Sequence, residues 1–127
     1  MNSINIKKLD KRLQEAAEIL APELGIAISD DGLVVNAHES DRLTVKKTDG
    51  GVEIGYSSLS EFCRGLSRIP SALEGEAVDE KRWMNSLCYM ADASRNAVPS
   101  VEGTKKIMRL LALMGYDSMM LYTEDTY

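Results

Sequence analysis

The chain has 127 residues, 44% hydrophobic and 28% charged, a composition typical of one soluble globular domain with a packed core. Lys and Arg number 15 against 20 Asp and Glu, so the formal net charge is −5. This acidic balance argues against a nucleic-acid partner, which would need a basic face, and against binding to an anionic membrane. No apolar run approaches the roughly 20 residues that span a bilayer.

Cysteine and histidine are too sparse for a metal site. Cys63 and Cys88 are far apart in the chain and His38 is the single histidine, so no zinc-binding pattern is present. We therefore predict no metal and no cofactor. Residues 1–9 lack an apolar h-region and a small-residue cleavage site, so we expect no secretory signal, reduced thiols and a cytoplasmic location.

The first part of the chain predicts a helix followed by two short strands. Residues 8–21 carry apolar side chains at helical spacing, and the helix is expected to end near Pro22. Residues 26–28 and 33–35 are apolar and flank a turn that contains Gly32, which indicates two strands around that turn.

A second hairpin and a helix follow. Residues 43–45 and 52–56 alternate apolar and polar side chains on either side of an Asp-Gly turn. Ser58 and Glu61 fit a capping box that begins a helix, which Pro70 is expected to stop. Residues 8–70 therefore predict an α+β fold, a mainly antiparallel sheet with helices on one face.

The last third of the chain predicts a βαβ unit. Residues 71–82 are acidic and lack a clear period, so we interpret them as a connection. Apolar strands at 87–91 and 119–122 flank a helix that begins after Pro99-Ser100, and the strands should be parallel and buried on both faces. The predicted division is a small α/β domain over 1–83, with its linker from about 70, and a second unit over 84–127.

Polar side chains follow both strands of this unit. Residues 92–96, Asp-Ala-Ser-Arg-Asn, come after the first strand, and residues 123–127, Thr-Glu-Asp-Thr-Tyr, come after the second. Ligands meet parallel α/β folds at the carboxyl ends of strands. Carboxylates and a guanidinium bind hydroxyl groups well, so these two segments suit a polyol ligand.

Three segments, residues 89–98, 110–116 and 121–127, closely resemble the start of the catalytic barrel in family 20 β-N-acetylhexosaminidases. The nearest likeness is to the bacterial branch without a signal peptide. The preceding residues resemble the small α/β domain before that barrel. The resemblance implies that 84–127 is the first strand–helix–strand of a truncated (βα)8 barrel. It also implies that Arg95, after the first strand, binds the terminal sugar's hydroxyls, and that Glu124 and Asp125 line the same pocket.

The resemblance also implies a mechanism. In the family the 2-acetamido carbonyl of the substrate attacks the anomeric carbon, an Asp orients that group, and the adjacent Glu is the general acid. That Asp-Glu pair follows a later barrel strand. Glu124-Asp125 has the reverse order after the second strand, so we assign no catalytic residue in this chain.

We therefore expect an N-terminal fragment of an enzyme that removes terminal β-linked N-acetylhexosamine or glucosamine from amino-sugar oligosaccharides. The fragment alone should be inactive, because a complete barrel takes about 250 residues. Its exposed barrel strands should be hidden by folding back onto the small domain's sheet or by self-association. The alternative is a stand-alone module that binds sugars or proteins without catalysis.

Overall fold

The structure is a computed structural model and describes residues 2–94 and 98–123. Within these ranges it contains a six-stranded sheet, a separate pair of strands and three α-helices. The strands are β1 Ser3–Asn5, β2 Ala27–Ile28, β3 Leu33–Glu39, β4 Leu43–Thr48, β5 Gly51–Tyr56, β6 Val78–Glu80, β7 Cys88–Asp92 and β8 Ser118–Tyr122. The helices are α1 Lys11–Leu20, α2 Leu59–Leu73 and α3 Val101–Leu113, with a 3₁₀ turn at Ala21–Leu24.

The six-stranded sheet is mixed, with strand order β2-β1-β3-β5-β4-β6. β1 pairs in parallel with β2 and β3, and β3 pairs in parallel with β5. β4 pairs antiparallel with β5 and β6. Three of the five strand pairings within this six-stranded sheet are therefore parallel, and the prediction of a mainly antiparallel sheet is wrong.

That error begins at the predicted first hairpin. β2 and β3 do not pair with each other but lie on either side of β1, a three-residue strand too short to show a pattern in the sequence. The segment between them crosses β1 closely, because a Cβ added at Gly32 would lie 2.6 Å from the carbonyl carbon of Ile4. The predicted turn is present, since the Gly32 N–H donates to the Ser29 carbonyl oxygen at 3.1 Å, but it leads the chain past β1 instead of joining two paired strands.

The second predicted hairpin is confirmed. β4 and β5 pair antiparallel, with Val45 opposite Ile54 and Thr48 opposite Gly51 at the turn. Its predicted inner face is buried, and Val52 and Ile54 are fully buried. The alternation in the sequence therefore predicted the buried face of this hairpin correctly.

The helix α2 begins as predicted and continues past its expected end. Ser58 Oγ accepts from the Glu61 N–H at 3.3 Å, and Glu61 Oε2 accepts from the Ser57 N–H at 2.7 Å. Pro70 lies inside the helix, which ends at Leu73. Burial of Ile69 and Ala72 on the core side holds the last turn in place although proline removes one helical hydrogen bond.

The buried side chains form one core between the sheet and the helices. It includes Leu13 and Ala17 of α1, Phe62 and Leu66 of α2, and Leu113 near the end of α3. The predicted connection contributes as well, because β6 within it pairs with β4. Among the described helices, none is both long and apolar enough to cross a bilayer.

The strand–helix–strand order of the last third is confirmed. β7 and β8 pair in parallel from Cys88 opposite Ser118 to Asp92 opposite Tyr122. Ser100 caps α3 by accepting from the Gly103 N–H at 3.1 Å. The pair forms its own two-stranded sheet rather than joining the six-stranded one, so the predicted folding back onto that sheet does not occur.

Candidate functional site at the carboxyl ends of β7 and β8

One face of the β7–β8 pair is turned toward α3. On it Tyr89 meets Tyr116 edge to face, with ring centroids 6.4 Å apart. Met119 on the same face lines a cleft together with Met108 and Leu111 of α3. Side chains alternate along a strand, so the remaining ones point away from α3. We call that surface the open face; its residues are Cys88, Met90, Asp92, Ser118, Met120 and Tyr122.

The open face is apolar in its middle and is exposed. Met90 is 61% exposed, Met120 54% and Tyr122 44%. The prediction of strands buried on both faces is therefore wrong for this chain, because α3 covers only one face and covers that face only in part, leaving Tyr89 41% and Leu121 46% exposed. Apolar strand faces of this kind are normally covered in parallel sheets.

Asp92 and Tyr122 lie side by side at the carboxyl end of the open face. They are Cα partners in the register, and the Ala93 N–H donates to the Tyr122 carbonyl oxygen at 2.8 Å, extending the pairing by one step. A carboxylate and an aromatic ring thus share one edge. A carboxylate can accept from hydroxyl groups and a ring can cover an apolar surface, so this edge suits a polyol with an apolar face.

The Asp92 carboxylate also shapes the loop after β7. Its Oδ1 accepts from the Ser94 N–H at 2.8 Å and from the Ser94 hydroxyl. Hydrogen bonds from the Ser94 side chain and backbone lower the pKa of Asp92 from its ordinary value. The carboxylate is therefore ionised at neutral pH, and its hydrogen bonds to Ser94 close a local turn directly after β7.

The sequence-predicted site residues Arg95, Glu124 and Asp125 lie outside the described residues. Each belongs to a segment whose start is described: Ser94 precedes Arg95, and Thr123 precedes Glu124. Tyr122, which the sequence placed in a strand expected to be buried, is brought to the site edge. Only the register of two strands distant in sequence could have placed it beside Asp92.

A larger cleft lies elsewhere, and its chemistry is less suited to a ligand. It has a volume of about 390 Å³ and is lined by Arg64, Glu80 and Trp83, among others. Arg64 and Glu80 within it are paired with each other, since Arg64 Nη2 donates to Glu80 Oε1 at 3.0 Å. In the described ranges, no group of three or more His, Cys, Asp or Glu side chains is arranged to hold a metal ion.

The amino ends of β7 and β8 carry a polar cluster that the sequence did not indicate. Asp117, just before β8, contacts Arg82, Ser60 and the backbone of Leu87. In the sequence Asp117 follows Gly115-Tyr116 and is indistinguishable from an ordinary turn residue. Amino ends of strands in α/β folds serve stability rather than ligand binding, so this cluster is separate from the candidate site.

Comparisons with known proteins give a fold likeness only. No family model matches the chain, and no curated protein matches it in sequence. A family 20 exo-β-N-acetylglucosaminidase from Vibrio harveyi, an inactive mutant, has a TM-score of 0.66 at 17% identity over 94% of this chain. A mutant Streptomyces plicatus β-hexosaminidase, solved with its product GlcNAc, has a TM-score of 0.61 at 16% identity over 93%.

A third solved structure agrees with these two. The family 20 β-N-acetylhexosaminidase from Streptomyces coelicolor A3(2) has a TM-score of 0.60 at 17% identity over 95% of this chain. The chain spans only 21% of the Vibrio harveyi protein and 30% of each Streptomyces protein. The likeness is to the N-terminal part of these enzymes, so the mixed α+β fold of this chain is that of their N-terminal region.

Proposed function

We propose that this chain is the N-terminal part of a β-N-acetylhexosaminidase-like glycoside hydrolase of the family 20 type. Such an enzyme removes terminal β-linked N-acetylhexosamine or glucosamine from amino-sugar oligosaccharides. The observation that carries the proposal is the shared fold, which extends over 93–95% of this chain in three independent enzymes. The sequence resemblance at residues 89–98, 110–116 and 121–127 supports it independently.

The asymmetry of the β7–β8 pair supports the barrel part of the proposal. In a (βα)8 barrel the helices cover the outer surface and the inner strand faces pack on one another. Here α3 covers one face and the open face carries Met90 and Met120 without cover. We propose that further parallel strands pack beside and across this face, with 84–127 as the barrel's first strand–helix–strand and 1–83 as the preceding domain.

In the proposed site, Arg95 binds the hydroxyls of the terminal sugar, and Glu124 and Asp125 line the same pocket. Asp92 supports this arrangement because its turn leads directly into Arg95. Tyr122 adds a ring at the same edge. The substrate-assisted hydrolysis itself is assigned to a later Asp-Glu pair, since these strand ends offer no such pair in that order.

The test is to follow the reading frame past the Tyr127 codon and assay the encoded polypeptide on an aryl N-acetyl-β-glucosaminide. The proposal predicts turnover, and Arg95→Ala should lower kcat/KM by about 100-fold because charge-assisted hydrogen bonds to the sugar are lost. Arg42→Ala, at an exposed arginine paired with Asp41, is the matched control and should leave kcat/KM unchanged. A stop codon at this point, with sugar binding and no hydrolysis, would favour the stand-alone module instead.

The isolated 127-residue chain should not turn over the same substrate. It has the candidate sugar contacts at two strand ends but no assigned acid. Measurable turnover by the pure chain that disappears in Arg95→Ala would overturn the assignment of the acid to a later strand.

A further inference from the structure

Asp117 ties together the first residues of both strands of the open face. Its Oδ2 accepts from the Leu87 N–H at 2.7 Å, and its own N–H donates to the Leu87 carbonyl oxygen at 2.9 Å. The Ser118 N–H also approaches that carbonyl oxygen, at 3.3 Å. Asp117 and Leu87 are therefore linked in both directions immediately before the first paired residues, Cys88 and Ser118.

These links bear directly on strand register. β7 and β8 are parallel and are joined through α3, so no tight hairpin turn sets their alignment. A slip of one residue would exchange the two faces of a strand. In β8 it would move Met120 and Tyr122 from the open face to the α3 side. The double link between Asp117 and Leu87 opposes such a slip.

Asp117 is also anchored to the six-stranded sheet and its helix. Its Oδ1 accepts from the Ser60 hydroxyl at 2.6 Å, in the first turn of α2, and from Arg82 Nη1 at 3.1 Å. Arg82 Nη2 donates to the second carboxylate oxygen. Arg82 follows β6, whose Glu80 pairs with Leu43 in the sheet. We call Ser60, Arg82, Leu87 and Asp117 the amino-end clamp.

The clamp is more than a surface ion pair. The Arg82 and Asp117 side chains are only 23% and 27% exposed, and three different segments meet at one carboxylate. Isolated exposed ion pairs contribute about 1 kcal/mol or less, whereas shared and partly buried networks contribute more. The pKa of Asp117 is held well below its ordinary value, chiefly by the hydrogen bond from Arg82.

Because a short strand is nearly straight, the orientation of its amino end determines where its carboxyl end lies. A five-residue strand is about 16 Å long, so a tilt of about 10° at the amino end displaces the carboxyl end by about 3 Å. A displacement of that size is enough to spoil a binding geometry. Asp92 and Tyr122 lie at the end opposite the clamp.

We propose that Asp117 is a positioning residue: it sets the register of β7 and β8 and fixes their orientation on α2, and thereby places the strand ends that form the sugar site. The register and orientation follow from the contacts of Asp117 alone. The consequence for sugar binding rests on the proposed function.

The test uses backbone amide exchange and methyl NOEs in the full 127-residue chain. Asp117→Ala should lower protection of the β7 and β8 amides at least tenfold and remove the NOE between Met90 and Met120, which face each other in the register. Protection in β3 and β5 should change less than twofold. Asp79→Ala is the matched control. Asp79 is an exposed carboxylate near Arg42 on the six-stranded sheet, and its loss should change protection in neither pair of strands.

Asp117→Asn keeps the shape but removes the charge, and it should give an intermediate loss of protection. Unchanged β7 and β8 protection in Asp117→Ala would overturn the proposal. An equal loss in β3, β5, β7 and β8 would overturn it as well, because Asp117 would then be a general stability residue. If the exchange result holds and the encoded polypeptide hydrolyses no amino sugar, the proposed function fails while the register role stands.

Discussion

The six-stranded sheet and the β7–β8 pair are each covered by helices on one face, but their other faces have opposite character. On the outer face of the six-stranded sheet, Glu53 lies between Asn36 and Lys46 in the register. On the open face the corresponding central positions are Met90 and Met120. A polar outer face is well solvated by water, whereas an apolar outer face is suited to being covered by further protein.

The difference has an energetic consequence. Covering a methionine side chain contributes about 1.5–3 kcal/mol, so an uncovered pair forgoes a sizeable part of an ordinary domain's stability. Two parallel strands do not stand alone in water. Here they depend on α3, whose Leu113 reaches the common core, and on the amino-end clamp.

The largest expected effect contrasts the two regions directly. Phe62→Ala should lower the free energy of unfolding by about 3–5 kcal/mol, because Phe62 is fully buried and packs edge to face on Tyr56. Met120→Ala should lower it by about 0.5 kcal/mol or less, because Met120 lies on the open face. Urea unfolding at low protein concentration measures both. A loss above about 2 kcal/mol for Met120→Ala would mean that the open face is covered in the isolated chain.

The clamp gives the next largest effect, and it should depend on pH. The folded-state pKa of Asp117 lies below its ordinary value of 3.8, so its contribution is fully present above about pH 5 and is lost as pH falls. At pH 7 Asp117→Asn should lower the free energy of local opening of the β7 and β8 amides, measured by amide exchange, by about 1–3 kcal/mol.

The pH dependence is measured as the difference between the unsubstituted chain and the Asp117→Asn variant. Arg82 stays cationic throughout this range, and Glu61, the other acid near Arg82, is present in both proteins. The difference in the free energy of local opening of the β7 and β8 amides should shrink steadily below pH 4. A difference that stays constant from pH 7 to pH 3 would show that the charge of Asp117 contributes nothing.

Self-association of the isolated chain tests the open face by another route. The 127-residue chain should associate with rising concentration, and replacing both Met90 and Met120 with Ser should raise the dissociation constant at least tenfold. Met84→Ser, at an exposed methionine in the connection, is the matched control and should not change it. Sedimentation velocity over a concentration series measures all three proteins. A chain that stays monomeric throughout the series would contradict the expectation.

Local patterns in the sequence predicted local structure well. The alternation in β4 and β5 gave the hairpin and its buried face, and the Ser58 capping box gave the start of α2. The short strands β1 and β6 were missed because three residues cannot show a period. The parallel pairing of β3 with β5 was missed because it depends on contacts between distant segments, which no local pattern encodes.

The candidate site shows the same division. The polar residues after β7 were recognised from their position behind an apolar strand, which requires only local information. The neighbouring placement of Asp92 and Tyr122 depends on the register of two distant strands. The contacts of Asp117 bring together three separate segments and leave no signature in any one of them.

The smallest expected effects come from two matched helix caps, one in each region. Ser58→Ala and Ser100→Ala each remove one hydrogen bond to a first-turn N–H, a loss of about 1 kcal/mol. Ser58→Ala also removes the contacts of its hydroxyl with Ser60 at 3.0 Å and with Arg82 at 3.4 Å, which adds to its effect. Ser58 begins a helix that lies across the core, so its loss should shift the global unfolding midpoint. The first turn of α3 is exposed and only its end is buried, so Ser100→Ala should mainly speed amide exchange at Gly103, whose N–H donates to the Ser100 hydroxyl.

The two variants are each other's control, measured by urea unfolding and by amide exchange. If Ser100→Ala shifts the global midpoint as much as Ser58→Ala does, α3 unfolds with the six-stranded sheet along its whole length. The contrast between the six-stranded sheet and the β7–β8 pair would then apply only to the open face and not to α3 behind it. If the shift is confined to local exchange, α3 is attached to the core at its carboxyl end, where Leu113 is buried, and the division between the regions passes through the helix itself.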